Sequence, residues 1–242
     1  MHDLSLTLVV PCHNEATRLD TAAFAEWVRA RSSRHLCFVD DASSDRTAAV
    51  IARLCDEHPR ISSLRLSRRH GKAGAVRAGV LRDSDTDLVG FWDADLAAPL
   101  DEVDRLIEVM ASHPRLQCVA GIRVMRLGAT IERSFTRHVL SRIFVTVASL
   151  SLDLHAYDTQ CGAKLFRRDA VQPLFTDPFV SAWFFDIELY LRLRRLHPDL
   201  DLSASVREHP LTQWTASDQS SLRCRDFIMT PVELYRISRR YR

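Results

Sequence analysis

The residues best suited to chemistry lie directly after apolar runs. Leu88-Val-Gly-Phe-Trp92 leads into Asp93-Ala94-Asp95, which puts two carboxylates at the end of a segment that reads as a buried strand. Desolvating two like charges there is costly without a counter-charge. A hard cation, Mg2+ or Mn2+, supplies one through oxygen ligands and can bridge and neutralise the phosphates of a nucleotide diphosphate. Taken alone, the triplet fits equally well a helix cap followed by an exposed turn carboxylate. Asp40-Asp41 closes another apolar run, where acidic side chains meet a ribose or a base edge, or simply cap the helix that Ser44 and Asp45 introduce. His70-Gly71-Lys72-Ala73-Gly74 is a glycine pair flanking a lysine that can meet a phosphate, without the spacing of a Walker loop.

Further along, Arg133 and Arg137 stand four apart with Ser141 one turn beyond, so a helix would present all three on one face. Arg123 precedes them at the end of an apolar run, and Glu132 is the nearby acidic residue. Such guanidiniums suit an anion, and equally a solvated basic face.

The elements that must position these groups follow from periodicity. Strands are predicted at Leu4–Val10, Leu36–Val39, Ser63–Leu66, Leu88–Trp92 and Gln117–Ile122, alternating with helices at Glu15–Arg31, Asp45–Glu57, Lys72–Arg82 and Leu100–Ala111. This alternation predicts an α/β fold with a mainly parallel sheet flanked by helices, whose ligands bind beyond the carboxyl ends of the strands. A long helical stripe is expected through Ile131, Phe135, Val139, Ile143 and Val147. It is followed by a strand at Ala163–Phe166, a helix at Asp186–Leu196, a strand at Leu200–Val206 and a final helix at Phe227–Tyr241. A chain of 242 residues suits one domain, divided at about residue 125 into halves 1–125 and 126–242.

Composition narrows the partners. A net charge of +2 gives no reason to expect nucleic acid. Of 33 basic residues only Lys72 and Lys164 are lysines, a bias that a GC-rich genome explains and that also suits phosphate recognition. The six cysteines show neither zinc-ligand nor redox spacing, which predicts reduced thiols. The most apolar stretch, Ile143–Leu154, is short and interrupted by Thr146, Ser149, Ser151 and Asp153, so no transmembrane helix is expected. The start of the chain enters a strand without a signal peptide, predicting a cytoplasmic protein.

The motifs VVPCHNE, VDDASSDRT, GKAGAVRAG and DAD, in that order after successive strands, resemble glycosyltransferase family 2, inverting enzymes of the Rossmann-like GT-A fold. The resemblance implies that Pro11, His13, Asn14, Glu15 and Asp41 line a nucleotide-sugar pocket with Lys72 nearby, and that Asp93 and Asp95 bind metal and diphosphate. The segment Tyr157-Asp-Thr-Gln-Cys-Gly-Ala-Lys-Leu-Phe166 with Phe185-Asp-Ile-Glu-Leu189 resembles the dolichyl-phosphate and polyprenyl-phosphate sugar synthases, especially the glucosyl branch. By that resemblance Arg123, Arg133, Arg137 and Ser141 bind the acceptor phosphate. The chain departs from its relatives at His13 in place of tyrosine, Ala42 in place of glycine and Ala163 in place of phenylalanine, while Ser220-Ser-Leu-Arg223 replaces a Ser-Lys pair.

The expected reaction is in-line attack, with inversion, of a lipid phosphate on the anomeric carbon of a nucleotide-diphosphate sugar; the resemblance implies UDP-glucose as donor, with GDP-mannose as the alternative. Asp158 is expected nearest the reacting centre, with Asp186 and Glu188 supporting it from behind. A phosphate acceptor is already ionised near neutrality, its second pKa being about 6. A sugar or protein hydroxyl would instead require Asp158 or Asp186 as base. Peripheral membrane contact would come from the Ile131–Val147 stripe, Phe144 and the basic residues Arg236, Arg239, Arg240 and Arg242, the alternative being that the stripe packs on the sheet. A non-catalytic nucleotide-binding scaffold is the reading from a different class.

Overall fold

The strands form where the chain can bury both of its faces. In the computed structural model, which describes residues 4–82, 85–132, 156–196, 198, 201–215 and 224–241, β1 (Leu6–Cys12), β2 (Arg34–Asp40), β4 (Leu88–Trp92) and β5 (Cys118–Ile122) are almost wholly buried. Nothing further is described of the side chains of residues 132 and 224–230. Leu6, Leu8 and Val10 point to one side of the sheet and Val9 to the other, as strand alternation requires. On the first side they meet α1 (Thr21–Ala30), α2 (Thr47–Glu57) and α4 (Asp101–Ser112), through Phe24, Val28, Ile51, Leu54, Val103, Leu106 and Met110. On the second they meet α3 (Gly71–Val80), α5 (Arg168–Phe175), α6 (Phe185–Leu196) and α8 (Cys224–Tyr241). Phe91 is fully buried between Phe166 and Phe185, with ring centroids at 6.2 and 5.6 Å.

Among the described residues the main sheet has the order β3-β2-β1-β4-β7-β5-β8, with β3 at Ile61–Arg65, β7 at Ala163–Arg167 and β8 at Val206–Pro210. Its strands run one way except β7, which is antiparallel to both β4 and β5. Trp92 pairs with Ala163, so the segment entering β7 lies at the end where β4 finishes. That single reversed strand decides what surrounds Asp93.

Several boundaries moved for local reasons. The first helix begins at Thr21 rather than Glu15, because Asp20 caps it through Oδ1 to the Ala23 N–H at 3.0 Å, leaving Glu15 in the loop beyond β1. Asp45 accepts from the Thr47 N–H at 2.9 Å and delays α2 in the same way. The strand expected at Leu200–Val206 is corrected: Asp201 caps a short helix α7 (Leu202–Ser205), and the strand starts at Val206. The helix expected from Ile131 opens instead as strand β6 (Thr130–Glu132), paired in parallel with β9 (Gln213–Thr215). The rest of that stripe, Phe135 to Val147, lies outside the described residues. Helix α5, short and containing Pro173, was not expected from the sequence. Among the described residues no helix is long and apolar enough to cross a membrane.

Candidate active site

The loops leaving β1 and β2 hold each other. The Asn14 N–H donates to Ser43 Oγ at 3.0 Å, and Asn14 Oδ1 accepts from the Ser44 N–H at 2.9 Å. His13 Nδ1 lies 2.9 Å from the Asp41 carbonyl oxygen, and the Glu15 N–H donates to Thr47 Oγ1 at 2.8 Å. Pro11, His13, Asn14, Glu15 and Asp41 are thus brought together at one end of the sheet. The buried Asp41 carboxylate accepts from the N–H groups of His70 and Gly71 at 2.7 and 2.8 Å, tying this loop to the start of α3. Gly71 makes that turn at φ 75°, a conformation costly to other residues.

Ala42 sits at φ 53° between these contacts, a left-handed conformation that favours the glycine the family resemblance implies at this position. Left-handed backbone costs an alanine about 1–2 kcal/mol, and glycine gives back part of that gain as unfolded-state entropy. Ala42→Gly is expected to raise stability by about 0.5–1 kcal/mol in denaturant unfolding with an unchanged slope.

Helix α3 carries Lys72 to Asp93, with Nζ in a close ion pair to Oδ1. Burial works against the Lys72 charge, but Asp93, Asp186 and Asp95 outweigh it and hold its pKa above the ordinary lysine value. Asp95 titrates above the usual aspartate range, first because burial disfavours its charge and then because Asp93 is adjacent. Glu15 is also raised, by burial foremost, with Asp95 adding to it against the lowering effect of Arg18. Lys72 thus offsets only part of the negative charge collected at the end of β4. Asp95 Oδ1 accepts from the Ala97 N–H at 3.1 Å, fixing the turn in which Leu96 takes φ 50°.

The segment entering β7 closes the other side. A Cβ on Gly162 would lie 2.0 Å from Asp93 Oδ2 and 2.3 Å from Cγ, so the bare backbone of this residue is what leaves room for the carboxylate. Sequence reading missed Gly162; its place just before a strand, four residues after Asp158, was the available signal. Asp158 is buried and gripped by Arg123, with Nε to Oδ2 at 2.6 Å and Nη2 to Oδ1 at 2.8 Å, a bidentate fork. Glu208 in turn accepts from the N–H groups of Tyr157 and Asp158 at 2.8 and 3.0 Å. The Arg123 guanidinium lies 5.2 Å from the Trp214 ring centroid. The expectation that Glu132 is the acidic neighbour of the arginine cluster is therefore corrected for Arg123, whose partner is Asp158. Arg133, Arg137 and Ser141 lie outside the described residues.

Asp186 and Glu188 are both buried at the start of α6 and do different things. Asp186 Oδ1 accepts from Lys164 Nζ at 2.6 Å. Glu188 accepts from the N–H groups of Val180 and Ser181 at 3.0 and 2.8 Å and from the Tyr241 hydroxyl at 3.1 Å, securing the loop before α6 to α8.

The profile of glycosyl transferase family 2 matches residues 7–175, a span that runs from β1 through β7 and includes the motifs at residues 9–15, 39–47, 71–79 and 93–95. The chain belongs to glycosyltransferase family 2. It is a glycosyltransferase built on the GT-A fold. It is 30% identical to a dolichyl-phosphate beta-glucosyltransferase of Trichomonas vaginalis, covering 96% of this chain and 70% of that protein. It is 32% identical to the dolichyl-phosphate beta-glucosyltransferase of Drosophila melanogaster, covering 90% of this chain and 69% of that one. In fold it is similar to glucosyl-3-phosphoglycerate synthase from Mycobacterium tuberculosis, solved with Mn2+, UDP and phosphoglyceric acid, at a TM-score of 0.71 and 17% identity over 97% of this chain and 78% of that one.

Proposed function

We propose that this family 2 enzyme transfers glucose, with inversion, from UDP-glucose to the phosphate of a dolichyl or polyprenyl lipid. The observation that carries the acceptor class is the engagement of both carboxylates nominated as bases. Asp158 is held on both oxygens by the Arg123 fork, and Asp186 is bonded to Lys164. A hydroxyl acceptor needs its proton removed in the transition state, whereas a phosphate monoester attacks already ionised. The sugar and acceptor named for the relatives in Trichomonas and Drosophila support the same choice.

Asp93 and Asp95 would hold Mg2+ or Mn2+. Two hard oxygen donors side by side at a strand end, with Asp95 raised first by desolvation and then by Asp93, fit such an ion. Donor phosphates and water can supply oxygen ligands to such an ion beside the two carboxylates. When bound, the ion supplies charge neutralisation for the departing diphosphate. Lys72 adds a second positive charge at the same place, and the bare backbone of Gly162 leaves room for the Asp93 carboxylate. Asp158 fixes the plane of Arg123, which with Arg133, Arg137 and Ser141 would bind the acceptor phosphate.

Beyond β5 the chain exposes Leu127 fully and Met125 at 65%, beside the exposed Arg126 and close in sequence to Arg123. This suits a peripheral contact with an anionic bilayer from which a lipid phosphate is drawn. Replacing both Met125 and Leu127 with serine is expected to lower binding to anionic vesicles about tenfold while leaving UDP binding unchanged, measured by sedimentation and calorimetry. Equal vesicle binding by the variant would remove this surface from the proposal.

The deciding assay supplies purified protein and Mn2+ with UDP-glucose, GDP-mannose or UDP-N-acetylglucosamine, with and without polyprenyl phosphate. Labelled glucose is expected in the organic phase from UDP-glucose alone. Lipid-independent transfer to a soluble acceptor would overturn the phosphate reading, and preference for GDP-mannose would overturn the donor.

A further inference from the structure

Of 33 basic residues the chain keeps only two as lysines, and both stand around Asp186. Lys72 reaches from α3 to Asp93, while Lys164 lies in β7 with its side chain fully buried. The Lys164 ammonium donates to the Thr159 carbonyl oxygen at 3.0 Å, to the Cys161 carbonyl oxygen at 2.7 Å and to Asp186 Oδ1 at 2.6 Å. Three convergent acceptors match its three N–H bonds. The rings of Phe91 and Tyr190 are also near, with centroids at 5.6 and 6.0 Å from Nζ.

Two of those acceptors are backbone carbonyls of the segment that enters β7. That segment carries Asp158, which orients Arg123, and Gly162, which backs Asp93. The third acceptor is anchored on α6, a separate element packed on the same face of the sheet. A buried ion pair brings little net stability, because desolvation offsets most of the attraction, so its retention here calls for a role in placement. An arginine cannot replace it, since a planar fork directs its donors outward in one plane and not toward three converging oxygens.

We propose that Lys164, fastened to Asp186, is a positioning residue that sets the 158–162 segment between Asp93 on the donor side and Arg123 on the acceptor side. It touches neither reactant. Its effect is exerted through the placement of Gly162 and Asp158, where an error of about 1 Å costs about 100-fold in rate.

The inference deepens the proposed transfer and rests on it for the kinetic arm of its test. Lys164→Met alone removes the hydrogen-bonded partner of the buried Asp186, leaving it only the nearby charge of Lys72, and is expected to unfold more easily, so the informative variant is Lys164→Met combined with Asp186→Leu. This apolar pair removes both buried charges together but leaves the carbonyls of Thr159 and Cys161 without the ammonium, so it is expected to stay folded and to melt somewhat below the wild type. It is also expected to bind UDP with Mn2+ within about threefold of wild type and to turn over about 100-fold more slowly. Lys164→Arg is expected to give no rescue. Hydrogen exchange of the amides of residues 159–162 is expected to quicken at least tenfold in the double variant, a readout independent of which acceptor the enzyme uses. A wild type that fails to glucosylate polyprenyl phosphate would sink the functional reading while the exchange result still decides the fastening. A stable double variant with wild-type turnover, or with unchanged exchange at 159–162, would overturn the positioning role.

Discussion

Asp95→Ala is expected to lower kcat by about 1000-fold while the protein stays folded. The magnitude is that of losing about 4 kcal/mol of stabilisation of a departing diphosphate, within the several kcal/mol that a bound divalent ion contributes. Asp95 is the residue to test because its charge is the less compensated of the pair: Asp93 has Lys72 in contact, whereas burial and Asp93 together raise Asp95. Asp95→Asn provides the control. An asparagine Oδ1 can still accept from the Ala97 N–H, so the turn is kept and only the charge is lost. Both variants should show weakened Mn2+ binding by electron paramagnetic resonance along with the loss of turnover. If Asp95→Asn retained activity within tenfold of wild type, the assignment of Asp95 to the metal would be wrong.

Gly162→Ala is the second large effect, expected to reduce kcat about 100-fold through one methyl group. Built at this position, a Cβ meets all three terminal atoms of the Asp93 carboxyl group within 2.6 Å, so either the carboxylate or the strand entry has to move. The strand entry is pinned by Lys164 through the carbonyls of Thr159 and Cys161, and the carboxylate is the freer of the two. Its displacement breaks the alignment of Asp93 with Lys72 and with the diphosphate, and a shift near 1 Å carries the stated cost. The melting temperature should change little, because Asp93 is about one-third exposed and can rotate toward solvent. A variant with wild-type kcat and wild-type Mn2+ affinity would show that the site tolerates a displaced Asp93.

These two substitutions lie at opposite ends of what the sequence makes legible. Asp93 and Asp95 were readable because both the strand before them and the chemistry after them are local: an apolar run must be buried, and carboxylates at its end need a cation or a cap. The same holds for Asp41 and the Asn14 loop, whose motifs follow β2 and β1 directly. Ala42 shows how a single departure is read correctly only once its φ of 53° is known.

The amino-acid sequence by itself determined the alternating α/β order, the burial of β1, β2, β4 and β5, and the gathering of acidic residues at their carboxyl ends, because period-two burial and helix caps act over a few residues. Only the tertiary structure decided what meets those residues from the second half. Strand β7 inserts between β4 and β5 in the opposite direction, and a strand's direction is set by the packing of distant elements, not by its own residues. That reversal brings the segment before β7, rather than the one after it, to Asp93. It pairs Asp158 with Arg123 and lets Lys164, bonded to Asp186, hold the carbonyls of Thr159 and Cys161, so residues that read in the sequence as separate ligands and bases meet along one short segment.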